Sequence, residues 1–482
     1  MDALLSGSYN PLGTSIHLAI GTRALSKISP RKLKGFQDYH PETMGLRLAI
    51  IDVVRRQAEL AGFNPIDTPA LEYSEVLLGV GGETDKQVYR FLDNGERDVA
   101  LRFDLTVPFA RFVAENYGAL PLPFKRVQMG PVWRAEKPQK GRFREFWQCD
   151  LDIIGVNSLA ADSEILLCLY SIVGQLPCGP FTMMVGHRGI LSELIRQTLG
   201  PLAPEQLGQA LIAIDKVAKI GAEAVVVQLM ALEGSDPEGA RRLISLLAHS
   251  PGEGTSLEPL RELLSSTPAA LVELEQLQQT LAIVREASNL AQGSLCLDLA
   301  IARGLGYYTG IVFETVLTQK PEWGSICSGG RYNHLVDRFL HQEVPGVGGS
   351  IGLDRLVAAL ADAAGEKSKS PGGQRAFIAI ASPNAYPWGF FLAQQLRQEG
   401  VACDIALKEQ KLVQQFKFAN RQGYPAVIIV GDEEAHGKTA SLKNMQLGHE
   451  SKHLPWRELA ARSKEIIHGS SPSPSPTRSP GP

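Results

Sequence analysis

Apolar positions along this chain recur first at helical spacing and then at strand spacing, and the changes of period outline its elements. Met44, Leu48, Ile51, Val54 and Ala58 repeat every three to four positions behind Pro41 and stop before Gly62. That spacing predicts a helix with proline in its first turn and glycine at its end. Residues 63–69 read as a strand ending in proline, leading into 70–72. The clearest period of two lies at 124–155, which predicts two strands joined by a basic loop. In the second strand Arg144, Phe146, Gln148, Asp150 and Asp152 share one face, while Trp147, Cys149, Leu151 and Ile153 share the other. The second set reads as core. The first is a row of charge, amide and one ring, costly to desolvate unless it holds a ligand. A solvated face of an amphipathic hairpin is the plain alternative.

Residues 160–175 predict a core helix. From 187 to 290 the chain is rich in Ala, Leu and Glu at helical spacing, interrupted at Gly200, Gly234 and Pro251, and reads as a largely helical insertion. His187 and Arg188 at its start read as a helix cap rather than a ligand pair. Strand character returns at 295–316 around a glycine-rich turn, and 346–355 reads as a small-residue strand opening a helix with Arg355 in its first turn. After a linker at 361–374, strands and helices alternate as βαβαβ, which predicts a small α/β domain.

A chain of 482 residues holds two or three domains by size. Its 44% apolar and 21% charged residues fit a soluble globular protein. No run of eighteen apolar residues occurs, so no membrane span is predicted. A net charge of -3 argues against nucleic-acid binding by bulk charge, though a local basic patch remains compatible with it. The six cysteines are scattered without a C-x-x-C pair, so neither a zinc site nor a disulfide framework is expected, and a reducing cytoplasm is the default setting. Residues 1–33 read as a loosely attached extension; they lack a secretory pattern, and their Ser/Leu-rich, acid-poor character leaves an organelle-targeting peptide open. The Ser/Pro tail at 469–482 is expected to be disordered.

Candidate chemistry gathers around the hairpin. Arg134, Lys137, Lys140 and Arg142 suit a polyphosphate, because guanidinium forks bind phosphate oxygens in pairs. Asp104 and Thr106 share a face if that segment is extended and could then hold an ammonium group; a turn or cap is the plain reading. Arg303, Tyr307 and Tyr308 stand among Gly304, Gly306 and Gly310, which let backbone approach a ligand. A helix N-terminus bearing Arg355 favours phosphate. No G-x-x-x-x-G-K-[ST] sequence occurs, which argues against a P-loop nucleotidase.

Gly130-Pro131, Arg134-Ala-Glu136, the PQKGR run at 138–142, Phe146 and Gln148 together resemble motif 2 of the class II aminoacyl-tRNA synthetases, in the form found in the histidyl-tRNA synthetase family. The segment at 41–72 resembles motif 1, 346–355 resembles motif 3, and Arg303-Gly-Leu-x-Tyr307-Tyr308 with 328–332 resembles the histidine-specific signature. The likeness covers about 34–465. It implies an α/β chain with an α+β catalytic core: an antiparallel sheet flanked by helices at 34–360, a helical insertion at about 187–290 directed at the tRNA acceptor end, and an anticodon-binding α/β domain at 375–468. It implies activation of L-histidine with ATP and transfer to tRNA(His), with homodimerisation through motif 1.

By the same resemblance Arg134 and Arg303 are catalytic at the α-phosphate. Arg142 and Arg355 meet the outer phosphates, with Mg²⁺ arriving on ATP and no side-chain metal ligands expected. Phe146 stacks on adenine and Glu136 accepts from its amine. Asp104, Thr106 and Gln148 meet the α-amino group of histidine; Arg303 lies against its carboxylate; Tyr307, Tyr308 and Asp152 complete the pocket, Asp152 and Tyr308 being set to partner the two imidazole nitrogens. Gln139 meets the tRNA acceptor end, and Lys408, Lys411 and Gln415 are positioned for RNA in the C-terminal domain. Two departures stand out: the family usually has Asp at Gly306 and at Asn333. Two rivals to the ligase are a catalytically silent paralogue serving as a regulatory subunit of ATP phosphoribosyltransferase and a tRNA-sensing module without aminoacylation. Such regulatory paralogues generally lose the motif arginines and the C-terminal domain, and this chain keeps both.

Overall fold

The computed structural model describes residues 28–79, 87–139, 141–249, 257–288, 293–302, 306–364 and 374–469. Residues 1–27, Lys140, Pro251, Arg303, most of the linker at 361–374 and the tail from 470 lie outside the described residues.

The hairpin anchors an eight-stranded sheet. Its strands run in the order Asn64–Pro65, Phe124–Trp133, Glu145–Ile154, Gly346–Gly352, Ser325–Tyr332, Ile311–Leu317, Phe181–His187 and Gly293–Leu297. The first and last pairs are parallel and the five between are antiparallel. The predicted alternation holds along Glu145–Ile154: Cys149, Leu151 and Ile153 enter the main core, with Trp147 packed against it. That core is closed by Ile50, Val54 and Ala58 of the helix Pro41–Leu60 and by Ile165, Leu166 and Leu169 of the helix Leu159–Gln175. The sheet's other face is left to the site.

The helix Pro41–Leu60 starts on Pro41 as predicted, but its buried stripe is Arg47, Ile50, Val54 and Ala58, and Leu48 is exposed. Its rotation is set by a buried ion pair. Arg47 meets Asp354, which also accepts from Tyr39 Oη at 2.5 Å and from the Trp147 backbone N–H at 2.7 Å. Residues 63–69 do not make the full strand expected of them. Only Asn64–Pro65 is strand; the Ile66 N–H adds one bond to Val127 O before the chain leaves the sheet, and Pro69 has no N–H to carry a ladder further. Residues 99–111 likewise are not extended throughout: the strand Asp98–Leu101 ends and the helix Thr106–Asn116 begins.

Between Phe181–His187 and Gly293–Leu297 the described residues are largely helical, from Arg188–Leu199 to Pro268–Ala287, with Gly200 at positive φ where its helix stops and Gly234 at positive φ in a turn between helices. The C-terminal part is a five-stranded sheet in the order Cys403–Ile405, Ala376–Ile380, Ala426–Val430, Thr439–Asn444 and Glu450–Pro455. The first three strands are the expected parallel βαβαβ unit. The hairpin Thr439–Asn444/Glu450–Pro455 and the helix Trp456–His468 extend beyond it.

Candidate active site

Two adjoining cavities open on the polar face of the hairpin. The smaller, of about 190 Å³, is lined by Arg134, Glu136, Arg142, Phe146 and Arg355 among others. The larger, of about 750 Å³, holds Asp104, Thr106, Asp150, Asp152, Tyr307 and Tyr308. Arg134, Arg142, Gln148, Ser328 and Ser350 belong to both, so the two form one continuous site.

The hairpin sets the smaller cavity. Arg134 Nε donates to Phe103 O at 2.9 Å, and its guanidinium lies over the Phe146 ring, 5.2 Å from the centroid. Glu136 sits between two cations, 3.9 Å from Arg134 and 3.7 Å from Arg142. Gln139 and Arg142 pair through their backbones across the loop, N–O distances 3.2 and 2.9 Å, which puts Gln139 at the exposed tip and Arg142 over the cavity. Arg355, in the first turn of the helix Leu353–Ala364, donates to Ser325 O. Asp354 beside it ties that turn to both the hairpin and the helix Pro41–Leu60. Three cations thus line a cleft with two carboxylates, Glu136 and Asp354, the latter already paired with Arg47, an arrangement suited to phosphate oxygens.

The larger cavity is acidic. Asp104 is almost fully buried; its Oδ1 accepts from the Val107 N–H at 3.1 Å, so the residue does cap the helix that Thr106 opens. Its other oxygen, Oδ2, accepts from Tyr307 Oη at 3.3 Å, which keeps the carboxylate on the cavity wall. Burial pushes Asp104 up to about 6, with the Val107 N–H and Arg134 pulling against that rise. Tyr307 and Tyr308 meet edge to face at 4.9 Å, and burial holds both phenols protonated. Gln148 Nε2 donates to Ser350 Oγ at 2.9 Å.

Asp152 is less free than its place in the row suggested. Its Oδ1 accepts from Tyr332 Oη at 2.6 Å, and Oδ2 lies 2.8 Å from Arg126. Arg126 is fully buried, stacked on Phe109 at 4.5 Å, and donates to Gln128 Oε1 and Leu105 O. It is also 3.7 Å from Asp150. Burial raises the affinity of the Asp150–Asp152 pair for protons, and Arg126 opposes it. The neighbouring glycines make room for this cluster. A side chain on Gly348 would overlap the Asp152 carboxylate, and one on Gly330 would meet the Tyr308 ring at 2.9 Å.

Asp104, Thr106, Gln148, Asp152, Tyr307 and Tyr308 therefore converge on one cavity, and Arg134, Glu136, Arg142, Phe146 and Arg355 on the other. Arg303 lies outside the described residues. His187 caps the helix Arg188–Leu199 through Nδ1, and burial lowers it to about 4, so it is a neutral cap as expected. Arg331 of the signature is structural: it pairs with Asp162 at 2.6 Å. Gly306 is exposed at the rim of the larger cavity, and the Asn333 N–H donates to Thr309 Oγ1 at 3.2 Å. Gln415 does not face RNA. It is buried, accepts from Ile380 N and donates to Ile380 O, bracing the C-terminal sheet, whereas Lys408 and Lys411 are exposed.

Sequence did not single out Ser350, or Leu211, Ile212, Asp215 and Lys216 of the insertion, which line the larger cavity, nor Arg126 behind Asp150 and Asp152; Arg188, read as a cap residue, lines that cavity too. Arg126 was legible in principle. Counting the hairpin register back from the loop sets it opposite Asp152 and on the same face. The insertion residues carry no such signal, because a helical face does not say which distant wall it closes.

A phosphate-suited cleft joined to an acidic, aromatic pocket matches what the sequence resemblance implies, and comparison with known proteins agrees. The family model described as histidyl-tRNA synthetase matches residues 35–356, and one described as an anticodon binding domain matches 378–466. A protein named histidine–tRNA ligase from Rhodopirellula baltica is 40% identical over 422 residues, covering 87% of this chain and 94% of its own. Another of that name from Helicobacter pylori is 37% identical over 428 residues, covering 87% and 95%. The crystal structure of histidyl-tRNA synthetase from Nostoc sp. PCC 7120 superposes with a TM-score of 0.79 at 32% identity, covering 91% of this chain and all of that one. With its catalytic core and C-terminal domain both matched, the chain belongs to the histidyl-tRNA synthetase family.

Proposed function

We propose that this chain activates L-histidine with ATP and esterifies it to the 3′ end of tRNA(His). The observation that carries the proposal is the continuity of the two cavities: cations around a cleft on one side, buried carboxylates on the other, with Arg134 and Gln148 at the seam. A histidine carboxylate oxygen attacks the α-phosphorus of ATP and pyrophosphate leaves. The terminal ribose hydroxyl of tRNA then attacks the acyl carbon and AMP leaves.

Both steps move negative charge across phosphate and carboxyl oxygens, so fixed cations lower their barriers. Arg134 and Arg303 take the α-phosphate and carboxylate, and Arg142 and Arg355 the outer phosphates. Mg²⁺ enters with ATP as part of the substrate; of the two carboxylates lining the smaller cavity, Asp354 is taken up by Arg47, Tyr39 and the Trp147 N–H and Glu136 lies between two arginines, so phosphate oxygens would supply most of its ligands. Phe146 stacks on adenine and Glu136 accepts from its amine. Asp104, with Thr106 and Gln148, holds the α-ammonium group, while Tyr307, Tyr308 and Asp152 surround the ring. Exposed Gln139 meets the acceptor end of tRNA. A pocket that partners both imidazole nitrogens rejects apolar side chains, because its own polar groups would be left unpaired.

The catalytic unit spans 34–360 and the anticodon-binding unit 375–468, joined by 361–374. Exposed Leu71, Tyr73 and Phe91, on one face of a three-stranded sheet of Leu71–Tyr73, Asp98–Leu101 and Arg90–Leu92, supply an apolar face for a second copy of the chain, and the active species is a homodimer. All six cysteines are free thiols, in keeping with the cytoplasm. No helix among the described residues is long and apolar enough to cross a membrane.

The test is ATP–pyrophosphate exchange with each of the twenty amino acids. Exchange with histidine alone, lost in Arg303→Ala, is expected. Its absence from folded protein sinks the proposal.

A further inference from the structure

The basic loop of the hairpin rests on the connection between Ile311–Leu317 and Ser325–Tyr332. Gly141, next to Arg142 in that loop, has φ +72°, and a side chain there would run into the benzene ring of the Trp323 indole, with approaches of 2.9 and 3.1 Å. Trp323 ends the short turn Pro321–Trp323; it is 7% exposed and belongs to the main core. Gly141 and Arg142 line the smaller cavity, whereas Trp323 does not. The indole is therefore a plate behind the loop rather than part of the cleft wall.

The same connection also holds Arg355. That side chain donates to Ser325 O, two residues beyond Trp323. Gly324 between them, at φ +67°, keeps the backbone close to the guanidinium: a side chain on it would lie 3.9 Å from Arg355 Nη1. At the other end of the turn Lys320 Nζ donates to Ala359 O at 3.1 Å and to Asp362 at 3.3 Å, both on the helix Leu353–Ala364 that carries Arg355 in its first turn. Residues 320–325 thus form a bracket, fixed to the helix of Arg355 and met by the loop of Arg142.

Arg142 needs such a support. Its side chain is 46% exposed and its ion pair with Glu136 is long, at 3.7 Å, so its place over the cleft depends on where the loop backbone rests. A guanidinium fork binds phosphate oxygens well only at short, aligned distances, and a flat, buried ring sets that height without moving itself.

We propose that Trp323 is a positioning residue for ATP: it sets the height of the basic loop over the nucleotide cleft, and with it the spacing of Arg142 from Arg355 across the outer phosphates. This rests on reading the smaller cavity as the ATP cleft. It goes beyond that reading by giving a part in nucleotide binding to a side chain that lines neither cavity.

The experiment is titration calorimetry with ATP and with L-histidine, and ATP–pyrophosphate exchange, on the full chain. Wild type is compared with Trp323→Phe, Trp323→Leu, Gly141→Ala and the double change Gly141→Ala with Trp323→Leu. Trp323→Leu keeps apolar volume in the core but removes the plate. It is expected to lower the affinity for ATP and kcat/KM for ATP about 10- to 100-fold, the cost of displacing a binding group, with histidine affinity within about twofold of wild type. Trp323→Phe, which keeps a flat ring, should stay within about threefold of wild type for both ligands. Gly141→Ala should weaken ATP binding by itself, and weaken it less in the Trp323→Leu background, where the ring it would strike is gone. A merely structural role for Trp323 produces no such coupling. Equal losses for ATP and histidine in Trp323→Leu, additive effects of the two changes, or unchanged ATP affinity would overturn the assignment. If Trp323→Leu melts below the assay temperature, Gly141→Ala, which leaves the core intact, decides alone: unchanged ATP affinity overturns the assignment, and a loss confined to ATP supports it. Wild-type protein that binds ATP without histidine-dependent exchange would sink the ligase reading and leave the ATP titrations to judge Trp323. Wild-type protein that binds no ATP would sink both.

Discussion

Replacing Asp354 by asparagine keeps the shape of the side chain and deletes one charge at the junction of three elements. Asp354 is 4% exposed and Arg47 2%. The carboxylate accepts from Arg47 of the helix Pro41–Leu60, from Tyr39 just before it, and from the backbone of Trp147 in the hairpin. In Asp354→Asn the Arg47 guanidinium is left buried without a counter-charge, which costs about 3–5 kcal/mol. An unfolding unit of about 300 residues has an unfolding entropy near 0.6 kcal/mol per kelvin, so the midpoint should fall by about 5–8 °C. Because Arg355 follows directly, the first turn of its helix should loosen and the KM for ATP should rise. Scanning calorimetry and ATP-dependent exchange read the two effects. The double change Arg47→Met with Asp354→Leu should recover most of the midpoint, since an apolar pair removes both charges together. A midpoint within about 1 °C of wild type for Asp354→Asn would refute the reasoning: the pair would then be solvated rather than structural.

Arg134→Ala removes the cation at the seam of the two cavities and should lower kcat for exchange about 10²- to 10³-fold, read in the same assay. Asp104, raised by burial to about 6, must be ionised to hold an ammonium group, so kcat/KM for histidine should climb as pH rises from 5 to 7. The stability sign is opposite. With its folded pKa above the unfolded value, Asp104 favours the folded state below about 4, and that contribution is lost as pH rises through 6; midpoints measured over that range in wild type and Asp104→Asn check it. Gln415→Ala should destabilise the C-terminal sheet by about 1–3 kcal/mol, because Ile380 N–H and C=O lose their partner. A weaker tRNA affinity with unchanged stability would contradict that structural role.

The hairpin was the most legible part of the chain, because a period of two in a half-buried strand assigns every residue a face. Cys149, Leu151 and Ile153 went to the core, and Phe146, Gln148, Asp150 and Asp152 to the cavities. Periodicity did less well where tertiary contacts decide. Leu48 fits a helical stripe yet is exposed, since Arg47 is turned inward by Asp354. Asp104 and Thr106 share the cavity through a helix start rather than a strand, which spacing alone does not distinguish. Gln415 is polar and helical and reads as surface, but the backbone of Ile380 draws it inside. The hairpin Thr439–Asn444/Glu450–Pro455 escaped notice because its outer strand is largely exposed and polar. Within the site, the cations and tyrosines were found by motif order, and the commitment of Asp152 to Arg126 and Tyr332 only by geometry.

The most direct test of the account is formation of histidyl-tRNA from ATP, labelled histidine and tRNA carrying a histidine anticodon. Acid-precipitable label that requires all three substrates and disappears in Arg134→Ala is the predicted result. Folded protein that neither exchanges pyrophosphate nor charges tRNA would contradict the account and favour a silent, synthetase-like regulatory role.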